Sequence, residues 1–380
     1  MAEQQTLVII GSGLAGYSVA REVRKRDKDI PITIITASDG TFYSKPQLST
    51  AFANNKTAEQ IALSDAEKMA SQFNATIITH AQVQQLDIES QCIHYLDENQ
   101  KKQSCYYQDC VLATGANPKQ LPWHSHTISV NQHHDYQYFR DQLQDVKHIT
   151  IIGSGLVGCE FANDLHLAGF DIKVISMDAT PLAQLLPPSL GTQFAAACAQ
   201  QGIQWQFSSA VDNISPRDNG YEIHCALQTA IQTDLVLSAV GLTPNIELAS
   251  AAGITCQQGI VVNTQLETSA PHVYALGDCA EMHEQLRMYV MPTNVCAKAL
   301  AATLTGEPTA VTWPLMPIVI KTPFCPVCIL HPPSTGGTWS TSGKAHHAQF
   351  LHTNAEGKLD GFILMGDTVK TRATLMQQMR

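Results

Sequence analysis

Leu7-Val-Ile-Ile-Gly-Ser-Gly-Leu-Ala-Gly16 decides the fold, because the chain writes it a second time as Ile149-Thr-Ile-Ile-Gly-Ser-Gly-Leu-Val-Gly158. Each copy is a short apolar run, then G-x-G-x-x-G, then a helical pattern, read as Tyr17–Lys25 and Cys159–Ala168. A second apolar strand follows each, at Ile32–Thr36 and Ile172–Ser176. Strand, Gly-rich turn, helix and strand open a βαβ unit. In each copy the first glycine (Gly11, Gly153) permits the tight turn. The second (Gly13, Gly155) lets backbone approach a pyrophosphate, and the third (Gly16, Gly158) lets helix and strand pack closely. The helix start then offers N–H groups and a positive dipole end to phosphate. Solenoid repeats recur every 20–50 residues or so; two copies this far apart mean two nucleotide-binding modules.

Working outward, 380 residues with 44% hydrophobic and 15% charged content leave room for two or three domains. The formal charge of -10 argues against nucleic acid, which needs a basic field, and against a polybasic membrane anchor. The opening MAEQQTLVIIGSG has no basic n-region and runs straight into a strand, so no signal peptide is expected. No apolar run reaches the roughly 18 residues of a membrane span. The 11 cysteines lack framework spacing, which points to reduced thiols and a cytoplasmic chain.

Val111-Leu-Ala-Thr-Gly-Ala116 and Leu235-Val-Leu-Ser-Ala-Val-Gly241 are apolar strands ending in small-residue turns, where the chain can pass between modules; Thr114 and Gly115 lie in the first. Val273-Tyr-Ala-Leu-Gly-Asp278 is a buried-type strand ending in an acid. Asp278 is read either as a hydroxyl acceptor or as a helix N-cap.

At Ala275-Leu-Gly-Asp-Cys-Ala280 the chain resembles the flavoprotein pyridine-nucleotide reductases, in the branch that holds ferredoxin, rubredoxin and nitrite reductases. Tyr43-Ser-Lys-Pro-Gln-Leu-Ser49, Cys159-Glu-Phe-Ala-Asn-Asp-Leu165 and Ile320-Lys-Thr-Pro323 narrow it to the rubredoxin-reducing members. The resemblance covers nearly the whole length. It implies an α/β fold with two Rossmann-like three-layer domains, glutathione-reductase-like, for FAD and NAD, plus a small α+β C-terminal domain. The implied division is 1–115 and 241–311 for FAD, 116–240 for NAD, and 312–380 at the flavin and partner face.

The same resemblance implies site roles. FAD falls to Gly11, Ser12, Gly13, Leu14, Ala15, Gly16, Lys45, Val83, Thr114, Gly115, Asp278 and Val290. NADH falls to Gly153, Gly155, Gly158 and Asp178. Lys321 stands where these reductases place a Lys at the flavin ring, and Glu160 where they place an acid at the flavin–nicotinamide contact. In the ferredoxin reductases that acid's cation follows Pro-x-Leu-Ser; here the position is Thr50, so Lys321 is expected to pair with Glu160 instead. Dinucleotide modules often end their second strand with an acid for the ribose. Here Thr36 and Ser176 stand there, with Asp39 and Asp178 close behind. No Arg lies in Ser176–Thr180 to take a 2′-phosphate, which favours NADH over NADPH.

The implied activity is NADH:rubredoxin oxidoreduction: hydride from NADH to FAD, then single electrons to rubredoxin, feeding an alkane hydroxylase. Alternatives are flavorubredoxin reduction in nitric oxide detoxification, ferredoxin reduction for a ring-hydroxylating dioxygenase, and a non-catalytic FAD/NADH sensor. Thr41–Phe52 contains no Cys, so the thiol relays of related flavoenzymes are not expected. Cys325-Pro-Val-Cys328 has no second C-x-x-C to complete a zinc site and is read as two semi-buried thiols. His124, His126, His133, His134, His346 and His347 show no ligand spacing, so no metal is expected. A monomer meeting its partner transiently is expected.

Overall fold

The computed structural model describes residues 6–226, 229–333, 336–344 and 347–379; His346 and the first five residues lie outside them. The elements that carry the sites begin with β1 (Leu7–Ile10), α1 (Leu14–Arg26), β2 (Ile32–Ile35), β3 (Ala75–Ile78) and β4 (Asp109–Leu112). Next come β5 (His148–Ile152), α2 (Leu156–Leu167), β6 (Asp171–Ile175), β7 (Gln204–Gln206) and β8 (Leu235–Ser238). The last are β9 (Val273–Ala275), α3 (Val290–Leu304), β10 (Ile318–Ile320), β11 (Val327–Leu330), β12 (Thr338–Lys344), β13 (His347–Thr353), β14 (Leu359–Met365) and α4 (Arg372–Gln378).

The chain forms two compact units, each discontinuous in sequence. The first holds residues 6–45, 62–117 and 242–314. Its sheet runs β9-β4-β1-β2-β3 with every pair parallel, and Ile9 faces Ile34 and Val111 in register. Parallel strands with both faces covered read as unbroken apolar runs, and all four residues of β1 are buried. Helices α1 and α3 pack along each other, with Ser18 of α1 donating to Asn294 of α3 at 3.2 Å.

The second unit holds 46–61, 118–241 and 315–379. Its parallel sheet runs β7-β6-β5-β8, the same order about the fingerprint strand. A separate antiparallel sheet, β10-β11-β14-β13-β12, closes over a small core of Cys328, Leu330, Phe362, Leu364 and Leu375.

Both fingerprint helices start three residues earlier than their apolar pattern indicates. The third glycine is a helical residue pressed on the preceding turn, so it carries no apolar side chain to signal the helix. After β9, Gly277–Cys279 forms a 3-10 turn. Asp278 sits inside that turn, so the N-cap alternative does not hold.

All 11 cysteines are free. Cys325 and Cys328 are fully buried, deeper than the semi-buried placement read from sequence: β11 carries Cys328 into the C-terminal core, and Cys325 lies in the turn just before it. Burial pushes the Cys325 thiol up to about 11 and raises Cys328 as well, so neither is a ready thiolate. Among the described residues no helix is long and apolar enough to cross a membrane, and no group of three or more His, Cys, Asp or Glu is placed to hold a metal ion.

Candidate active site

The two Gly-rich turns are built alike. Gly11 has φ +112° and Gly153 φ +105°, a region L side chains rarely enter. A Cβ on Gly11 would lie 2.3 Å from the Ala113 carbonyl oxygen; on Gly153, 2.4 Å from that of Ala239. A Cβ on Gly16 would lie 1.9 Å from Gly11 O, and on Gly158 2.0 Å from Gly153 O. Both contacts are with backbone and cannot be relieved by a rotamer. Gly13 and Gly155 differ: a Cβ there would meet nothing within 4 Å. Each begins its helix with no side-chain cap and no acid in the first turn. Uncapped N–H groups beside open space fit a pyrophosphate.

The strand ends are also matched. Ser12 Oγ donates to Thr36 Oγ1 at 2.9 Å, and Ser154 Oγ to Ser176 Oγ at 2.8 Å. Hydroxyl pairs thus stand where many such modules keep an acid. Of the two acids that follow, Asp39 accepts from Thr41 N and Oγ1, each at 2.9 Å. Asp178 is exposed, with its N–H on Ser176 Oγ at 3.1 Å.

In the first unit, Lys45 Nζ meets Asp278 Oδ2 at 3.0 Å. The preceding Gly277 approaches Ala15 so closely that a Cβ would lie 2.8 Å from the Ala15 methyl. This brings the Lys45–Asp278 pair to the start of α1. Thr114 and Gly115 are locked to Asn245: Thr114 Oγ1 donates to its carbonyl at 2.9 Å, and its N–H donates to Gly115 O at 3.0 Å. Val83 packs partly buried against the first unit's core, and Val290 opens α3.

In the second unit, Glu160 is buried at 2% exposure and both its oxygens are hydrogen-bonded. Oε1 accepts the Lys321 N–H at 2.9 Å; Oε2 accepts Ser49 Oγ at 2.6 Å and Lys321 Nζ at 3.2 Å. The expected pairing with Lys321 is therefore present. Lys321 Nζ also donates to Pro46 O at 2.7 Å, and Thr50 Oγ1 supports that same carbonyl at 3.3 Å. Where ferredoxin reductases carry a cation, Thr50 thus props the carbonyl on which Lys321 rests. An ammonium has three donors. Two are used, and the side chain remains 40% exposed.

Ser49, Asn163 and Asp164 did not stand out as site residues. Asp164, 4% exposed, accepts Phe52 N–H at 2.7 Å and Ala53 N–H at 3.1 Å. Burial raises its carboxyl above the usual range, against those hydrogen bonds and Lys321, and Glu160 adds to the rise. The available signal was helical spacing: Glu160, Asn163 and Asp164 share one helix face.

Two cradles of one geometry make a chain built to hold two dinucleotides. Residues 5–303 match the family model of the pyridine nucleotide-disulphide oxidoreductases, and the chain belongs to that family. Residues 310–379 match the model of the rubredoxin binding C-terminal domain. The rubredoxin-NAD(+) reductase of Alcanivorax borkumensis is 37% identical across 98% of both chains. That of Acinetobacter baylyi is 40% identical across 97% of this chain and 96% of its own. Putidaredoxin reductase, solved as a covalent complex with putidaredoxin, shares the fold with a TM-score of 0.87 at 23% identity, covering 99% of this chain and 93% of its own.

Proposed function

We propose that this chain is an NADH:rubredoxin oxidoreductase with FAD as its resident cofactor. The doubled cradle carries the reading: one chain with two helix starts of one geometry, each open for a pyrophosphate. The match of 310–379 to a rubredoxin binding domain points to rubredoxin as the acceptor. FAD, when bound, would supply the exchange between a two-electron donor and a one-electron iron site.

The protein's part is to hold and align. Gly11–Gly16, Lys45, Val83, Thr114, Gly115, Asp278 and Val290 hold FAD. Gly153, Gly155, Gly158 and Asp178 hold NADH, and no cation in Ser176–Thr180 awaits a 2′-phosphate. Glu160 and Lys321 are the catalytic pair, a fixed carboxylate holding an ammonium whose side chain stays 40% exposed. In domain terms, 1–115 and 241–311 serve FAD, 116–240 serve NADH, and 312–380 serve the acceptor. Free thiols throughout suit a reducing cytoplasm, and reduced rubredoxin would feed an alkane hydroxylase.

The test is steady-state NADH oxidation with rubredoxin, flavorubredoxin and a 2Fe–2S ferredoxin compared side by side. Rubredoxin is expected to give the highest kcat/KM, by about ten-fold, or about 1.4 kcal/mol in transition-state terms. Faster reduction of either rival would overturn the acceptor assignment.

A further inference from the structure

Glu160, Asn163 and Asp164 form a polar stripe on α2 at 2%, 0% and 4% exposure. A stripe this deep is costly unless its atoms are bonded. The Asn163 amide donates to Cys159 O at 3.0 Å, and its Oδ1 accepts Phe324 N–H at 3.2 Å. Asp164 accepts the N–H groups of Phe52 and Ala53. Glu160 accepts from Lys321 and Ser49.

The partners come from two stretches far apart in sequence, and both follow one rule. Lys321 meets Glu160, and Phe324, three residues on, meets Asn163. Ser49 meets Glu160, and Phe52, three residues on, meets Asp164. Asn163 itself stands three residues after Glu160, about one helical turn. One turn of α2 therefore grips each stretch twice.

We propose that Asn163 and Asp164 are positioning residues. By fixing the backbone at Phe324 and at Phe52–Ala53, they set where the Lys321 ammonium and the Ser49 hydroxyl converge on Glu160. Ring contacts of Phe52 with Phe161 and of Phe324 with His166 also reach α2, but they fix no backbone group, and a lysine's four-carbon stem allows its ammonium to wander. The charges acting on the Asp164 carboxyl, Lys321 and Glu160, are the members of the pair it positions. This inference rests on the reading of Glu160 and Lys321 as the catalytic pair.

The test is single-turnover flavin reduction by NADH in the full-length FAD-loaded protein, with Asn163→Ala placed in the wild-type and Lys321→Met backgrounds. A displacement of about 1 Å can cost on the order of 100-fold in rate. Asn163→Ala is expected to lower the limiting rate about ten-fold while the NADH Kd stays within about two-fold. In the Lys321→Met background the same change is expected to do little, since the group it positions is gone. Asp164→Asn, which keeps one acceptor, runs the same cycle if Asn163→Ala fails to retain flavin. An equal rate loss in both backgrounds, or no loss in the wild-type background, overturns the proposal. If Lys321→Met alone leaves the rate unchanged, the reading of the catalytic pair falls first and the proposal with it.

Discussion

Helices α1 and α2 begin alike and then part. Their N-cap glycines have φ/ψ of -69°/-172° and -70°/-173°, and the close approaches around them agree within 0.1 Å. Aligning Gly16 with Gly158 places Ser18 against Glu160, Arg21 against Asn163 and Glu22 against Asp164. On α1 only Ser18 of these is buried, meeting Asn294 of α3, while Arg21 and Glu22 pair with each other at the surface. On α2 all three are buried and bonded to distant backbone or side chains. The pyrophosphate constrains only the turn and the first helical residues. One turn further on, the helix is free to take on other work: packing in one unit, holding a buried carboxylate and its half-exposed cation in the other.

The largest expected contrast lies at the third glycines. Gly16→Ala forces a Cβ to 1.9 Å from a carbonyl oxygen in the first cradle and should yield colourless, flavin-free protein. Gly158→Ala makes the matching clash at 2.0 Å, yet should keep the flavin and slow its reduction by NADH about 100-fold or more. Visible spectra and stopped-flow rates read both. Exchanged outcomes would reverse which cradle holds which cofactor.

Lys321→Met comes next. It removes the cation from a carboxylate whose side chain is 3% exposed and should cost about 2 kcal/mol in urea unfolding, tempered by the partial exposure of Lys321. Ser18→Ala, at the matching register of α1, removes the bond Ser18 donates to Asn294 and the longer one it accepts from half-exposed Arg21, and should cost about 1 kcal/mol. Equal costs would mean that the two helix faces do not differ as described.

Asp164 and Glu22 should show opposite pH signatures. Burial raises the Asp164 carboxyl. Its contribution to stability is therefore full below the unfolded carboxylate value, about 3.9, and is lost as pH rises through the higher folded value. The stability deficit of Asp164→Asn should shrink from acid toward neutral pH. For Glu22, burial also pushes upward, but hydrogen bonds from Lys25 and Arg21 outweigh it and the net shift is downward. Its contribution is present above the unfolded value, about 4.3, and is lost as pH falls through the folded value. Glu22→Gln should show a deficit of about 0.3 kcal/mol at neutral pH that vanishes in acid and in high salt. Denaturant midpoints across pH test both signs.

The doubled fingerprint was legible in sequence because its requirements are local: a turn, a close approach and a helix start, all within ten positions. The small-residue turns near Thr114 and Gly241 were legible for the same reason. The partners of the α2 stripe were not. Ser49 and Phe52 reach α2 across more than 100 positions, and Phe324 across 161, so no periodicity connects them. Lys321 was found only because a resemblance named its position. Thr50 looked like a missing cation; its role became visible once Pro46 O was seen to carry both Thr50 and Lys321. Asp278 could be read as a cap until it was seen inside the 3-10 turn, with Lys45 from a distant stretch beside it.

Anaerobic titration of the purified yellow protein with NADH, followed by addition of oxidised rubredoxin, tests the two-cradle electron path most directly. The expected result is bleaching of the flavin absorbance by about one equivalent of NADH and its return as rubredoxin is reduced at about two per flavin. A flavin that stays coloured under excess NADH, or bleaches but cannot pass its electrons to rubredoxin, would contradict it.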